Sequence, residues 1–168
     1  MTRHIGGRVH RSRYADFYTI LMTIDTQTLD PKRDPMGAAI LDYLTTGRAK
    51  TLTVMSSMFD DDEMPVDYLF RTTDSMPPLE LKALEMTRGT TLDVGAGAGC
   101  HGLALQQRGV SVKAIDVSPL SCDALRRRGI ADVECINLFD PRLGGGFDTI
   151  LMLMNGTGIA GKMSGLGG

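Results

Sequence analysis

The chain has 168 residues, 42% hydrophobic and 23% charged, a balance that suits one globular domain and excludes a wholly disordered chain. A net charge of −2 gives no basic field to gather nucleic acid, and no apolar run is long enough to span a membrane. Cys100, Cys122 and Cys135 form no CxxC pair, which fits a reducing cytoplasm and offers neither a disulfide scaffold nor a zinc site.

Charge is unevenly placed: net +3 over residues 1–33, −5 over 34–89 and zero over 90–168. Residues 1–33 are Arg-rich, without the apolar stretch of a secretory signal, and read as a partly disordered leader. Within them FYTILMTIDTQTL is apolar enough to pack, but its period does not separate helix from strand. Residues 34–88 read as an N-terminal cap of helix, two short strands and helix. Asp34-Pro35 is an N-cap followed by a first-turn proline, Ile40, Leu41 and Leu44 share one face, and Gly47 supplies the stop. TLTVMSS and VDYLF read as two strands joined by the acidic turn FDDDEMP, whose Asp60, Asp61, Asp62 and Glu63 suit a solvated loop. Pro77-Pro78 opens the helix LELKALEM, which Gly89 ends.

Composition changes at Gly89, since 16 of the 20 glycines lie between residues 89 and 168. Here TTLDV, SVKAID, DVECI and FDTILMLM read as strands, with the helices CHGLALQQRG and PLSCDALRRRG after the first two. Apolar strands alternating with helices predict an α/β fold whose parallel sheet is covered on both faces. Met152 and Met154 then belong to core, and Arg126, Arg127 and Arg128 complement a helix C-terminus.

The chemistry concentrates at the first strand-to-helix turn, LDVGAGAGCHG. Gly95, Gly97 and Gly99 allow a sharp turn and a close ligand, and the next helix aims its free N–H groups there. Asp116 ends the second strand, 21 residues after Gly95, where a carboxylate accepts two ribose hydroxyls or, alternatively, caps the helix at Pro119. Read from Gly97, GAGCHG satisfies the dinucleotide fingerprint GxGxxG. Read from Gly95, which directly follows the strand, Cys100 stands where that fingerprint needs its third glycine. Asp93 would also repel a pyrophosphate but suits an ammonium and a sulfonium, which points to S-adenosylmethionine.

These motifs together resemble the cofactor half of the class I (Rossmann-like) S-adenosylmethionine-dependent methyltransferases. LDVGAGAG resembles their first motif, AIDVSP the acidic end of their second strand, ECINLF their adenine loop and FDTILMLMNG their fourth strand. DPMGAAILDYL and MPVDYLFR resemble the N-terminal cap of one bacterial branch. The resemblance implies a Rossmann-like sheet, strand order 3-2-1-4 as far as it runs, behind an N-terminal helix and β-hairpin cap. It implies that Asp93, Gly95, Ala96 and Gly97 cradle the methionyl part and that Asp116 holds the ribose. Val117 would lie against adenine, with Asn137 and the Leu138 N–H reading its edge. Asn155 would hold the methionyl group or the substrate, or else cap a turn. Asn155-Gly156-Thr157-Gly158 is not the signature of enzymes that methylate nucleic-acid amines, so a small-molecule acceptor is expected, with no metal.

His101 is expected to pack or face solvent, and the sequence names no general base. Residues 89–168 carry fewer strands than the family's order 3-2-1-4-5-7-6, so the chain is expected to be a truncated form that self-associates through its fourth-strand edge. A nicotinamide-dependent oxidoreductase and a non-catalytic cofactor-binding fragment are the alternatives.

Overall fold

A computed structural model describes residues 27–48, 50–54 and 62–154. Most of the leader, most of the acidic turn and Asn155 lie outside the described residues. Residues 27–33 are described: Asp30 caps a 3-10 turn over Pro31–Arg33, and the Leu29 N–H donates to the Val117 carbonyl at 2.8 Å.

Helix α1 (Pro35–Thr46) starts and stops where its capping residues dictate. Asp34 Oδ1 accepts the Gly37 N–H at 2.8 Å, and Gly47 closes the helix at φ +68°. Strands β1 (Thr51–Val54) and β2 (Asp62–Pro65) pair antiparallel, with Leu52 opposite Met64. VDYLF is not the second strand, as its composition suggests, but a 3-10 turn over Val66–Phe70. Turning there buries Val66 and sets Leu69 and Phe70 beside Ile40, with the Phe70 and Tyr43 rings 4.6 Å apart.

Helix α2 (Pro78–Met86) ends before Gly89, with the Thr87 hydroxyl donating to the Ala83 carbonyl at 3.1 Å. Gly89 instead turns the chain into the next strand at φ +59°, where a Cβ would strike the Asp148 side chain. Asp148 accepts the Thr90 N–H at 2.7 Å and so ties the start of that strand to the last one.

The remainder alternates as expected: β3 (Thr91–Val94), α3 (Cys100–Gln107), β4 (Val112–Asp116), α4 (Pro119–Arg127), β5 (Asp132–Cys135) and β6 (Thr149–Leu151). The four strands β5-β4-β3-β6 form one parallel sheet, the order 3-2-1-4 counted from β3, with Asp93 in register with Ala114 and Leu151. All four residues of β3 are buried, as a central parallel strand requires. One face packs on α2, α3 and α4 through Leu84, Leu105, Val112, Ala114 and Leu125. Leu105 and Leu125 are fully buried, each worth about 1.5–3 kcal/mol of apolar transfer.

The opposite face departs from expectation. Among the described residues Leu92, Val94, Ile115 and Ile136 are covered by Leu138, Leu143 and Phe147 of the segment before β6 and by Met152 after it, not by an α-helix. Ile150 on β6 stays 55% exposed. The strand FDTILMLM shortens to three residues, and Met154 leaves it at φ +53° with its sulfur 2.9 Å from Arg71 Nη2. Met154 is therefore not core. Arg128 lies past the end of α4, its guanidinium 4.6 Å from the Phe70 ring centroid and bonded to the Ala98 carbonyl.

Helix α1 rests on α4 through a polar joint between two N-caps. Ser118 Oγ donates to Asp34 Oδ2 at 2.5 Å and accepts the Ser121 N–H at 2.8 Å. Both residues are buried, so the joint fixes the N-terminal segment over the C-terminal end of β4.

Candidate functional site

The carboxyl ends of β3 and β4 open into a cavity of about 400 Å³, a size that suits a nucleoside-sized ligand. Its floor is Asp93 to Ala98, one wall is Asp116, Ser118 and Ser121, and the other is Cys100 and His101. Leu29, Met36, Ile40, Met64 and Leu69 close it from the N-terminal segment, with Leu153 and Met154 at the far side.

The turn is pinned from below, because the Ile115 carbonyl accepts the N–H groups of Gly95 and Ala96 at 2.9 and 3.1 Å. Two of its glycines do different work. Gly99 has φ +83°, and a Cβ there would meet Leu125 Cδ2 at 2.6 Å, so it serves the packing of α3 on α4. At Gly97, φ +55°, the nearest heavy atom to a Cβ would be the Gly95 carbonyl oxygen at 3.9 Å. Its missing side chain leaves room in the cavity.

Three carboxylates surround that room: Asp34, Asp93 and Asp116. Asp93 is 2% exposed, and its Oδ2 is buried with no partner among the described residues. Burial raises its pKa to about 7, the Gly102 N–H opposes this, and the charge of Asp116 adds to it. Asp116 accepts the Gly97 N–H through Oδ2 and the Ser118 N–H through Oδ1, both at 2.9 Å. Burial pushes the Asp116 carboxyl up; these amides oppose the rise and the charge of Asp34 adds to it. A carboxylate offers about four acceptor positions, more than these amides take, so Asp116 keeps capacity for a ligand.

The cavity thus gathers Asp93, Gly95, Ala96, Gly97 and Asp116. Val117, Asn137 and Leu138 do not line it. Asn137 Oδ1 accepts the Phe139 N–H at 3.0 Å, and Leu138 packs on the opposite face of the sheet. No group of three or more His, Cys, Asp or Glu side chains among the described residues is placed to hold a metal.

His101 packs and does not face solvent, and it does so in the cavity wall within an ionic cluster that the sequence did not suggest. Its Nε2 lies 2.9 Å from Glu80 Oε2, and Arg71 Nη2 reaches both Glu80 oxygens at 2.6 and 2.7 Å. Burial opposes ionisation of Glu80, but the bonds from Arg71 and His101 outweigh it and hold the carboxyl below its ordinary value. Sequence reasoning missed this cluster. The one available signal was a histidine in the first turn of an otherwise apolar helix.

No protein-family model and no curated protein matches the sequence. Among solved structures, the chain is similar to a SAM-dependent methyltransferase from Bacteroides fragilis crystallised with S-adenosyl-L-homocysteine, at 54% identity and a TM-score of 0.80. The match covers 84% of this chain, which spans 59% of the length of that protein.

Proposed function

We propose, for a chain that belongs to the class I S-adenosylmethionine-dependent methyltransferase family, that it binds S-adenosylmethionine in this cavity and directs its methyl group to a small-molecule acceptor. The observation that carries the reading is the buried Asp93 carboxylate, which lines the same cavity as the open position at Gly97 and whose Oδ2 has no hydrogen bond among the described residues. A buried carboxylate with one oxygen left without a donor suits a cationic ammonium. The same three acids would repel the pyrophosphate of a dinucleotide, which argues against a nicotinamide cofactor.

In this reading Asp93, Gly95, Ala96 and Gly97 hold the methionyl part, and the remaining acceptor capacity of Asp116 takes the ribose hydroxyls. Val117, Asn137 and the Leu138 N–H, outside the cavity lining, are assigned to the adenine by the family resemblance alone, and Asn155, outside the described residues, to the methionyl group or the substrate. When bound, the cofactor supplies a methyl group already activated by a sulfonium. The chain's own task is to align an acceptor and exclude water, for which Met36, Met64 and Leu69 offer an apolar wall. A cytoplasmic location belongs to the same proposal; among the described residues no helix is long and apolar enough to cross a membrane. Self-association at β6 also belongs to it, supported by the exposed Ile150 on a strand paired only with β3 among the described residues.

Calorimetric titration with S-adenosylhomocysteine and NAD in parallel tests the reading. Binding of the first and not the second is expected. Binding of NAD alone would overturn it.

A further inference from the structure

One wall of the cavity carries a polar device that the cofactor roles leave unused. His101 stands at the second position of α3, and its Nε2 faces Glu80 Oε2 at 2.9 Å and Arg71 Nη2 at 3.4 Å. The guanidinium has only donors, and it spends them on both Glu80 oxygens and the Tyr68 carbonyl, the last at 2.7 Å. The shorter contact therefore sets the tautomer: Nε2–H donates to Glu80, and Nδ1 keeps a bare lone pair. Nδ1 has no protein partner among the described residues and is not among their sealed polar atoms, while the residue lines the cavity.

The charged groups facing the ring are Arg71 from the turn before α2 and Glu80 from α2. Burial lowers the His101 pKa against the pull of Glu80, and the charge of Arg71 lowers it further, so the ring is neutral near pH 7. A neutral ring with a bare Nδ1 cannot donate to the carboxylate of a methionyl group. It can take a proton. Glu80 is no rival for that task, because the Arg71 guanidinium occupies both its oxygens.

Resting on the methyltransferase reading, we propose that His101, positioned by Glu80, accepts the proton of the methyl acceptor, and that the acceptor atom is a hydroxyl oxygen or an amine nitrogen. The acceptor lone pair forms the new bond to the methyl carbon, and the S–CH3 bond breaks with its electron pair left on sulfur. The acceptor proton passes to Nδ1, and the imidazolium formed is stabilised by Glu80 until it yields the proton to water.

Methyl transfer from S-adenosylmethionine to phenol, catechol and benzylamine tests this, with S-adenosylhomocysteine binding measured alongside. Wild type should methylate at least one probe, at a rate that rises with pH through the His101 pKa measured by nuclear magnetic resonance. His101→Gln and His101→Asn should each lose about 100-fold or more in turnover, the ordinary worth of a positioned base. Glu80→Gln should lose about tenfold and move the pH profile, which a purely structural carboxylate would not do. S-adenosylhomocysteine affinity should stay within about threefold in the His101 variants, a change under about 1 kcal/mol. Two results would overturn the proposal while leaving the cofactor reading intact: wild-type turnover in either folded His101 variant, or S-adenosylhomocysteine binding with transfer to none of the three probes. No binding of S-adenosylhomocysteine by wild type would overturn both.

Discussion

The Gly97 N–H donates to Asp116 Oδ2 at 2.9 Å, so the glycine turn after β3 and the acid ending β4 form one unit. Asp116 also holds the Ser118 N–H, and Ser118 in turn holds Asp34 at the head of α1. One carboxylate thereby links the glycine turn to the N-terminal segment that closes the cavity.

Replacing Asp116 by Ala removes that link together with the proposed ribose acceptors. Charge-assisted bonds contribute roughly 1.5–3 kcal/mol each, so S-adenosylhomocysteine binding should weaken by about 30- to 1,000-fold. Thermal stability should fall as well, because the Gly97 and Ser118 amides lose their acceptor. Calorimetry and a melting curve on the same sample check both. Unchanged affinity would take Asp116 out of the site.

Asp93 makes the ligand-free protein sensitive to pH. Its folded-state pKa, about 7, lies above the unfolded value, so the native state holds its proton more tightly. Stability should therefore decline as pH rises from about 4 to about 7 and level off above, through this group. Asp93→Asn should flatten that decline, raise stability at pH 8 and weaken S-adenosylhomocysteine binding. Urea unfolding midpoints across pH 5–8 measure the first two, and calorimetry the third. A ligand ammonium set against Asp93 should also release a proton on binding below pH 7, visible as a buffer-dependent binding enthalpy.

The two glycines separate binding from packing. Gly97→Val fills the cavity and should weaken S-adenosylhomocysteine at least as much as Asp116→Ala does. Gly99→Ala sets a methyl group against Leu125 in a left-handed conformation and should cost about 1–3 kcal/mol of stability. Its effect on affinity should be smaller. Reversal of the two effects would contradict the division of labour.

Leu29 lines the cavity, and its N–H holds the Val117 carbonyl. A chain lacking residues 1–30 should therefore bind S-adenosylhomocysteine about 3- to 10-fold more weakly than one lacking residues 1–26, about 1 kcal/mol. The sequence alone suggests no such effect, since its first capping signals stand at Asp34. Equal affinities would show that Leu29 does not border the ligand.

What the sequence revealed was local. Asp34-Pro35 with Gly47 marks α1 because capping is decided within a few residues. The strand-helix alternation after Gly89 carries the order of the sheet, and the turn LDVGAGAG with Asp116 places the center of the cavity. What stayed hidden depends on distant partners. VDYLF has a strand's composition and curls because its apolar side chains pack on α1. Arg71 and Glu80 lie 30 and 21 residues before His101, with no spacing rule to join them. The purpose of Gly99 shows only when α4 lies against it.

The most direct test of the account is the crystal structure of this chain with S-adenosylhomocysteine. The account predicts the ribose hydroxyls within hydrogen-bonding distance of Asp116, the ammonium facing Asp93, and the His101 Nδ1 side of the cavity free of the methionyl carboxylate. Ligand bound elsewhere, or a ribose that does not touch Asp116, would contradict it.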